Sequence, residues 1–124
     1  MPTILLIEDE EGAQQAFRRT LKMAGYEVLI ASEGKEGLML LEKHQPDLVI
    51  TDIFMDGMEG LETIRAIKEK GKDVPIIAIS GSLNDVYLTM GKKFGARSSL
   101  AKPFNAHELL DAVAAALPEP EHRP

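Results

Sequence analysis

The sequence predicts an α/β fold: a (βα)5, doubly wound, five-stranded parallel sheet covered by helices on both faces. Short apolar runs alternate with longer amphipathic stretches five times along the chain. Each run is bounded by turn residues, as a strand buried on both faces should be. The connections are short, which suits right-handed crossovers made by the helices themselves.

The elements follow in order. Ile4 to Ile7 is a strand that stops at the acidic run Glu8-Asp9-Glu10-Glu11. From Ala13 the positions Ala13, Ala16, Phe17, Thr20, Leu21 and Ala24 make one stripe of an amphipathic helix, and Gly25 stops it. Tyr26 to Ala31 is the second strand. Gly34 to His44 is a weaker helix, with Leu38 and Leu41 inward, and Pro46 ends it. Leu48-Val49-Ile50 leads through Thr51 to Asp52, and a Gly-containing turn follows. Gly60 to Lys70 is the third helix, with Leu61, Ile64 and Ile67 inward and Gly71 as its stop.

Val74 to Ile79 is the fourth strand, ending at Ser80-Gly81. Ser82 is placed to cap a helix that buries Val86, Met90 and Phe94 and ends at Gly95. Ser98 to Ala101 is a short fifth strand, followed by Lys102-Pro103. Asn105 caps the last helix, with Glu108 three residues on and Leu109, Leu110, Val113 and Leu117 inward. Residues 1–117 then form one domain, and 118–124 a polar, Pro-rich tail.

Composition narrows the function. Apolar residues make up 44% and charged residues 27%, the balance of ordinary globular material. Fourteen Lys and Arg against 20 Asp and Glu give a formal charge of −6, which argues against a nucleic-acid surface. There is no cysteine, so thiol chemistry and cysteine-held metals are excluded. The opening Met-Pro-Thr-Ile-Leu-Leu-Ile-Glu lacks the basic segment of a secretory signal, and no run is long enough for membrane insertion. The expected location is cytoplasmic.

A parallel sheet brings every strand's carboxyl end to one edge, where open α/β folds place their ligands. Glu8, Asp9, Asp52, Ser80 and Lys102 all fall at such ends. Each has an ordinary structural explanation alone: first-turn acids for a helix dipole, a loop cap, a helix-entry serine, a salt-bridge lysine. Together they point to chemistry. Three carboxylates at one rim repel one another, and a divalent cation relieves that. Oxygen ligands without His or Cys favour a hard ion, Mg2+. Lys102 adds a point charge suited to a phosphoryl oxygen or a carboxylate, and Ser80 a hydroxyl. The set describes a site that moves a phosphoryl group onto or off a carboxylate.

At these residues the chain resembles the receiver (CheY-like) domain of two-component response regulators. The matching pieces are Ile7-Glu8-Asp9-Glu10, Pro46 through Ile53, Met58-Glu59-Gly60-Leu61, Val74 through Gly81, and Gly95-Ala96 with Leu100-Ala101-Lys102-Pro103-Phe104. The resemblance runs from about Thr3 to Leu117. It, rather than the residue pattern, implies a flavodoxin-like strand order of 2-1-3-4-5. It also implies that Asp52 accepts a phosphoryl group from a histidine kinase or a histidine phosphotransfer protein, altering the surface for a downstream protein target. Asp9, Asp52 and the Phe54 backbone carbonyl would hold Mg2+, with Glu8 acting through water. Lys102 and Ser80 would bind the phosphoryl oxygens, and the Lys102–Pro103 bond would be cis. Such a protein is regulatory: it catalyses only its own phosphorylation and slow dephosphorylation.

Three positions depart from the family pattern. Glu8 replaces the usual first Asp of the acidic pair, Asp56 stands where Pro is common, and Ser99 stands where Tyr or Phe usually changes rotamer on activation. Two other readings compete. A cofactor-binding flavodoxin-like protein needs a phosphate-cradling loop after the first strand, where Glu8 to Glu11 would repel phosphate. A receiver-like interaction module would not need the Asp9, Asp52, Ser80 and Lys102 set. The short stretch past Leu117 favours a stand-alone regulator, although a Pro-rich tail also suits the start of a linker.

Overall fold

The computed structural model describes residues 1–53, 60–70, 73–81 and 85–117, without the side chains of 85–88 and 91. Phe54, Asp56, the Gly71 stop, the Ser82 cap and the tail 118–124 lie outside the described residues, as does the Val86 side chain. Strand and helix alternate as expected: β1 (Thr3–Ile7), α1 (Glu11–Met23), β2 (Glu27–Ala31), α2 (Gly34–His44), β3 (Leu48–Asp52), α3 (Gly60–Glu69), β4 (Ile76–Ser80), α4 (Asp85–Phe94), β5 (Ser98–Ala101) and α5 (Ala106–Ala116). The strands pair in parallel in the order β2-β1-β3-β4-β5.

Helix ends explain where the observed boundaries move. α1 starts at Glu11, ahead of the expected Ala13, because the Glu10 carboxylate accepts from the Gly12 and Ala13 amides at 2.8 and 3.0 Å. At its other end Gly25 takes φ +95°. The Tyr26 N–H donates to the Leu21 carbonyl and the Gly25 N–H to that of Lys22, a Schellman closure. β4 begins at Ile76 rather than Val74, since Pro75 has no N–H for the ladder. α5 carries the expected capping box: Asn105 accepts from the Glu108 amide at 2.8 Å, and Glu108 accepts from the Asn105 amide at 3.1 Å.

The sheet divides the core in two by residue parity. Leu5, Ile7, Val49, Ile76 and Ala78 face one side, packed with Leu41, Ile64 and Ile67 from α2 and α3. Ile4, Leu6, Leu48, Ile50, Ile77 and Ile79 face the other, packed with Phe17, Leu21, Leu109 and Val113 from α1 and α5. Of the expected inward residues, Leu38, Met90, Phe94, Leu110 and Leu117 are only partly buried, as are Ala13 and Thr20, and Ala16 and Ala24 of the α1 stripe are exposed, whereas Ala116 completes the α5 face. β3 and β4 are buried along their whole length. Asp52 and Ser80 therefore end strands that solvent does not reach from either face.

Gly60 opens α3 directly against the end of β3. Its N–H donates to the Ile53 carbonyl at 2.9 Å. A Cβ built there would overlap the Asp52 carbonyl oxygen and lie 2.5 Å from Ile53 Cα, main-chain atoms with no rotamer to yield. Gly60→Ala is expected to lower unfolding stability by about 3 kcal/mol, an overpacking cost against rigid backbone. Gly25→Ala, where a Cβ meets nothing within 4 Å, should cost about 1–2 kcal/mol through its φ alone. Urea unfolding of both variants checks the order, and a Gly60→Ala chain as stable as Gly25→Ala would contradict it.

Candidate phosphoacceptor site

The expected rim residues come together at the carboxyl edge of the sheet. Parity explains the arrangement: Glu8 continues the series Ile4, Leu6, and Asp52 the series Leu48, Ile50, so both lean to the α1 and α5 side. Lys102 follows β5 on that side. Its Nζ donates to Asp52 Oδ2 at 2.9 Å and lies 3.7 Å from Glu8 Oε1. The Lys102 amide donates to the Ser80 carbonyl at 2.8 Å, which ties the lysine's backbone to β4. The Lys102–Pro103 peptide is cis, as the resemblance implied. Phe104, next along, packs on Phe17 of α1 with ring centroids 5.7 Å apart.

Burial separates the residues. Glu8, Asp52 and Ser80 are 2%, 8% and 0% exposed, whereas Asp9 is exposed on the loop above β1. The Glu8 carboxylate also accepts from the Glu10 amide at 3.1 Å. Burial pushes the Glu8 carboxyl above the ordinary glutamate range. The Glu10 N–H pulls it back, Asp52 pushes it up again, Lys102 draws it down, and a hydrogen bond with Asp9 raises it. Burial also works against the Lys102 charge. The hydrogen bond and charge of Asp52, helped by Glu8, outweigh it and hold the ammonium above the ordinary lysine range.

One ammonium thus serves two carboxylates, with Asp9 as a third acid beside them. Among the described residues, no three His, Cys, Asp or Glu side chains gather closely enough to chelate an ion by themselves. What the edge offers is oxygen: an exposed Asp9, and Asp52 and Glu8 beneath it. That donor set fits Mg2+, which takes one or two carboxylates and keeps most of its waters. The expected fourth ligand, the Phe54 carbonyl, lies outside the described residues.

Two contributors were not among the residues singled out in the sequence. Gln14 of α1 donates from Nε2 to the Glu8 carbonyl at 2.6 Å. It stands three and seven residues before the inward Phe17 and Leu21, so a polar residue on that stripe was the available signal. Glu10 acts as cap rather than as a further acid of the cluster. Ser99 sits half-buried in β5, paired with Ala78.

The raised Glu8 carboxyl makes stability depend on pH. The folded chain holds the Glu8 proton more tightly than the unfolded chain, so this contribution is complete in acid and is lost as Glu8 ionises. In EDTA, the thermal midpoint should fall with rising pH just above the ordinary glutamate range. Glu8→Gln should lose that part of the slope and melt at or above the wild-type midpoint near neutrality. An unchanged slope in the variant would remove Glu8 as its source.

Comparison with known proteins agrees with this geometry. A model of the response regulator receiver domain matches residues 4–114. Response regulator MprA of Mycolicibacterium vanbaalenii is 34% identical over 114 residues, covering 92% of this chain and 49% of MprA. Transcriptional regulatory protein AfsQ1 of Streptomyces coelicolor is 34% identical over 112 residues, covering 90% of this chain and 49% of AfsQ1. The chain spans about half the length of the curated relatives it matches. Chemotaxis protein CheY4 of Vibrio cholerae superposes with a TM-score of 0.89 at 32% identity, covering 94% of this chain and 99% of CheY4. A response regulator receiver domain from Clostridium thermocellum superposes at 0.88 with 32% identity, covering 94% of each chain. Sheet order, acidic edge and matched sequence agree, and the chain belongs to the response regulator receiver domains of two-component systems.

Proposed function

We propose that Asp52 is the phosphoacceptor of this receiver, taking a phosphoryl group from a histidine kinase or a histidine phosphotransfer protein. The observation that carries this reading is the Asp52–Lys102 pair, a strand-end carboxylate 2.9 Å from an ammonium beside a buried second acid. An Asp52 oxygen attacks phosphorus, the phosphorus–nitrogen bond of the donor breaks, and the imidazole leaves with the electron pair. Lys102 already faces Asp52 and offsets the charge that gathers on the transferred oxygens. Ser80, at the end of the neighbouring strand, supplies a hydroxyl for one of them.

Receiver domains are generally Mg2+-binding, and Asp9, Asp52 and the Phe54 carbonyl are the ligands we assign, with Glu8 acting through water. The ion would neutralise negative charge on the phosphoryl oxygens beside Asp52. The open apolar groove along Ala13, Phe17, Pro103 and Phe104 borders Lys102 and gives a donor protein a surface beside the acceptor. The N-terminus of α1 is closed by the chain's own Glu10 carboxylate, which disfavours a cofactor phosphate at that helix end. The output is an altered surface read by a downstream protein target, with no direct nucleic-acid contact. The domain signals rather than turning over a metabolite. No described helix is long and apolar enough to cross a membrane, and we place the protein in the cytoplasm.

Acetyl phosphate with Mg2+ should phosphorylate the wild type, and EDTA should abolish the reaction. Asp52→Asn should show no phosphoryl addition by intact-mass measurement, and Lys102→Ala should be slowed by at least about tenfold, the loss expected when a charge-stabilising group is removed. Equal addition to wild type and Asp52→Asn would take Asp52 out of the role.

A further inference from the structure

The carboxylates of the β1–α1 loop need a fixed direction, and the chain supplies it at one peptide. Glu8 is anchored by its N–H, which donates to the Ala31 carbonyl at 2.9 Å. Its carboxylate is held by the Glu10 amide at 3.1 Å and approached by Lys102 at 3.7 Å. Its carbonyl, which sits past the end of the ladder, accepts from the Gln14 side-chain amide at 2.6 Å. The same amide nitrogen lies 3.4 Å from Ser32 Oγ, on the loop after β2. The Ser32 amide in turn donates to Glu36 Oε1 at 2.7 Å.

The peptide joining Glu8 to Asp9 is planar, so holding its oxygen sets the direction in which Asp9 leaves the sheet. Asp9 is exposed above the edge, and its side chain hydrogen-bonds to Glu8, so its placement depends on how the Glu8 peptide is held. Side chains that hold a metal ligand's backbone tune affinity without touching the ion.

We propose that Gln14 is a positioning residue for divalent-cation binding, acting through the Glu8 carbonyl to orient Asp9. The inference rests on the assignment of Asp9 as an Mg2+ ligand. It makes Gln14 a determinant of the metal requirement rather than of the phosphoryl-transfer step. The 2.6 Å bond to the carbonyl, not the longer approach to Ser32, carries the effect.

Magnesium chloride titration of the full chain by calorimetry, paired with acetyl-phosphate labelling at each Mg2+ concentration, tests it. Gln14→Met keeps length and removes the donor. It should raise the Mg2+ concentration for half-saturation about tenfold, as outer-sphere partners of metal ligands do. The labelling rate at saturating Mg2+ should stay within about twofold of wild type, the signature of lost binding without lost transition-state stabilisation. Ser32→Ala should leave half-saturation near the wild-type value. Gln14→Leu repeats the test should the Met variant not fold. Wild-type half-saturation in Gln14→Met, with or without a lower thermal midpoint, would overturn the inference and leave the proposed function standing. An equal loss in Ser32→Ala would also overturn it. A wild-type chain that takes up no Mg2+ would overturn both.

Discussion

Removing a carboxylate from water is costly, and β3 ends with one inside a sheet buried on both faces. The Lys102 ammonium offsets that cost at Asp52 from 2.9 Å. Much of the surrounding architecture keeps this ammonium in place. The Lys102 amide is bonded to β4, and Phe104 rests on Phe17 of α1. The lysine therefore arrives from the far edge strand with its backbone held on one side by the sheet and on the other by a helix. Glu8 is the residue the pairing leaves under-served: it shares the same ammonium at longer range, and burial favours its neutral form.

That imbalance makes the edge receptive to positive charge. Asp52 has its counter-ion, Glu8 has part of one, and Asp9, hydrogen-bonded to Glu8, is exposed above them. A cation at the rim would meet oxygen ligands whose directions are already set by strand ends, so little ordering remains to be done on binding.

Much of this was legible from residue types. Continuous apolar runs with acids, a serine and a lysine at their ends put Glu8, Asp52, Ser80 and Lys102 at one edge, because a parallel sheet leaves no other choice. Asn105 with Glu108 announced its own capping box. The parts that were not legible depend on side chains answering main-chain groups. Glu10 read as one more acid in a run, yet its carboxylate is spent on the first turn of α1. Gln14 drew no notice in the sequence, yet its amide satisfies the Glu8 carbonyl. Gly60 read as the first residue of a helix, but that its lack of a Cβ is what lets α3 begin against Asp52 was not legible. Such roles depend on distances across the fold, which spacing along one segment does not encode.

The division of the core by parity has a consequence for how the chain can change over time. Leu5 and Ile7 belong to one hydrophobic layer and Ile4 and Leu6 to the other. Exchanging one aliphatic residue for another in β1 perturbs a single layer by a fraction of a side chain. Deleting a single residue there inverts every later position of the strand, turning Glu8 away from Lys102 and sending an aliphatic side chain to the wrong layer. The strands can thus drift widely in identity while their lengths stay locked, and insertions are confined to the loops, where no count of residues decides which way a carboxylate faces.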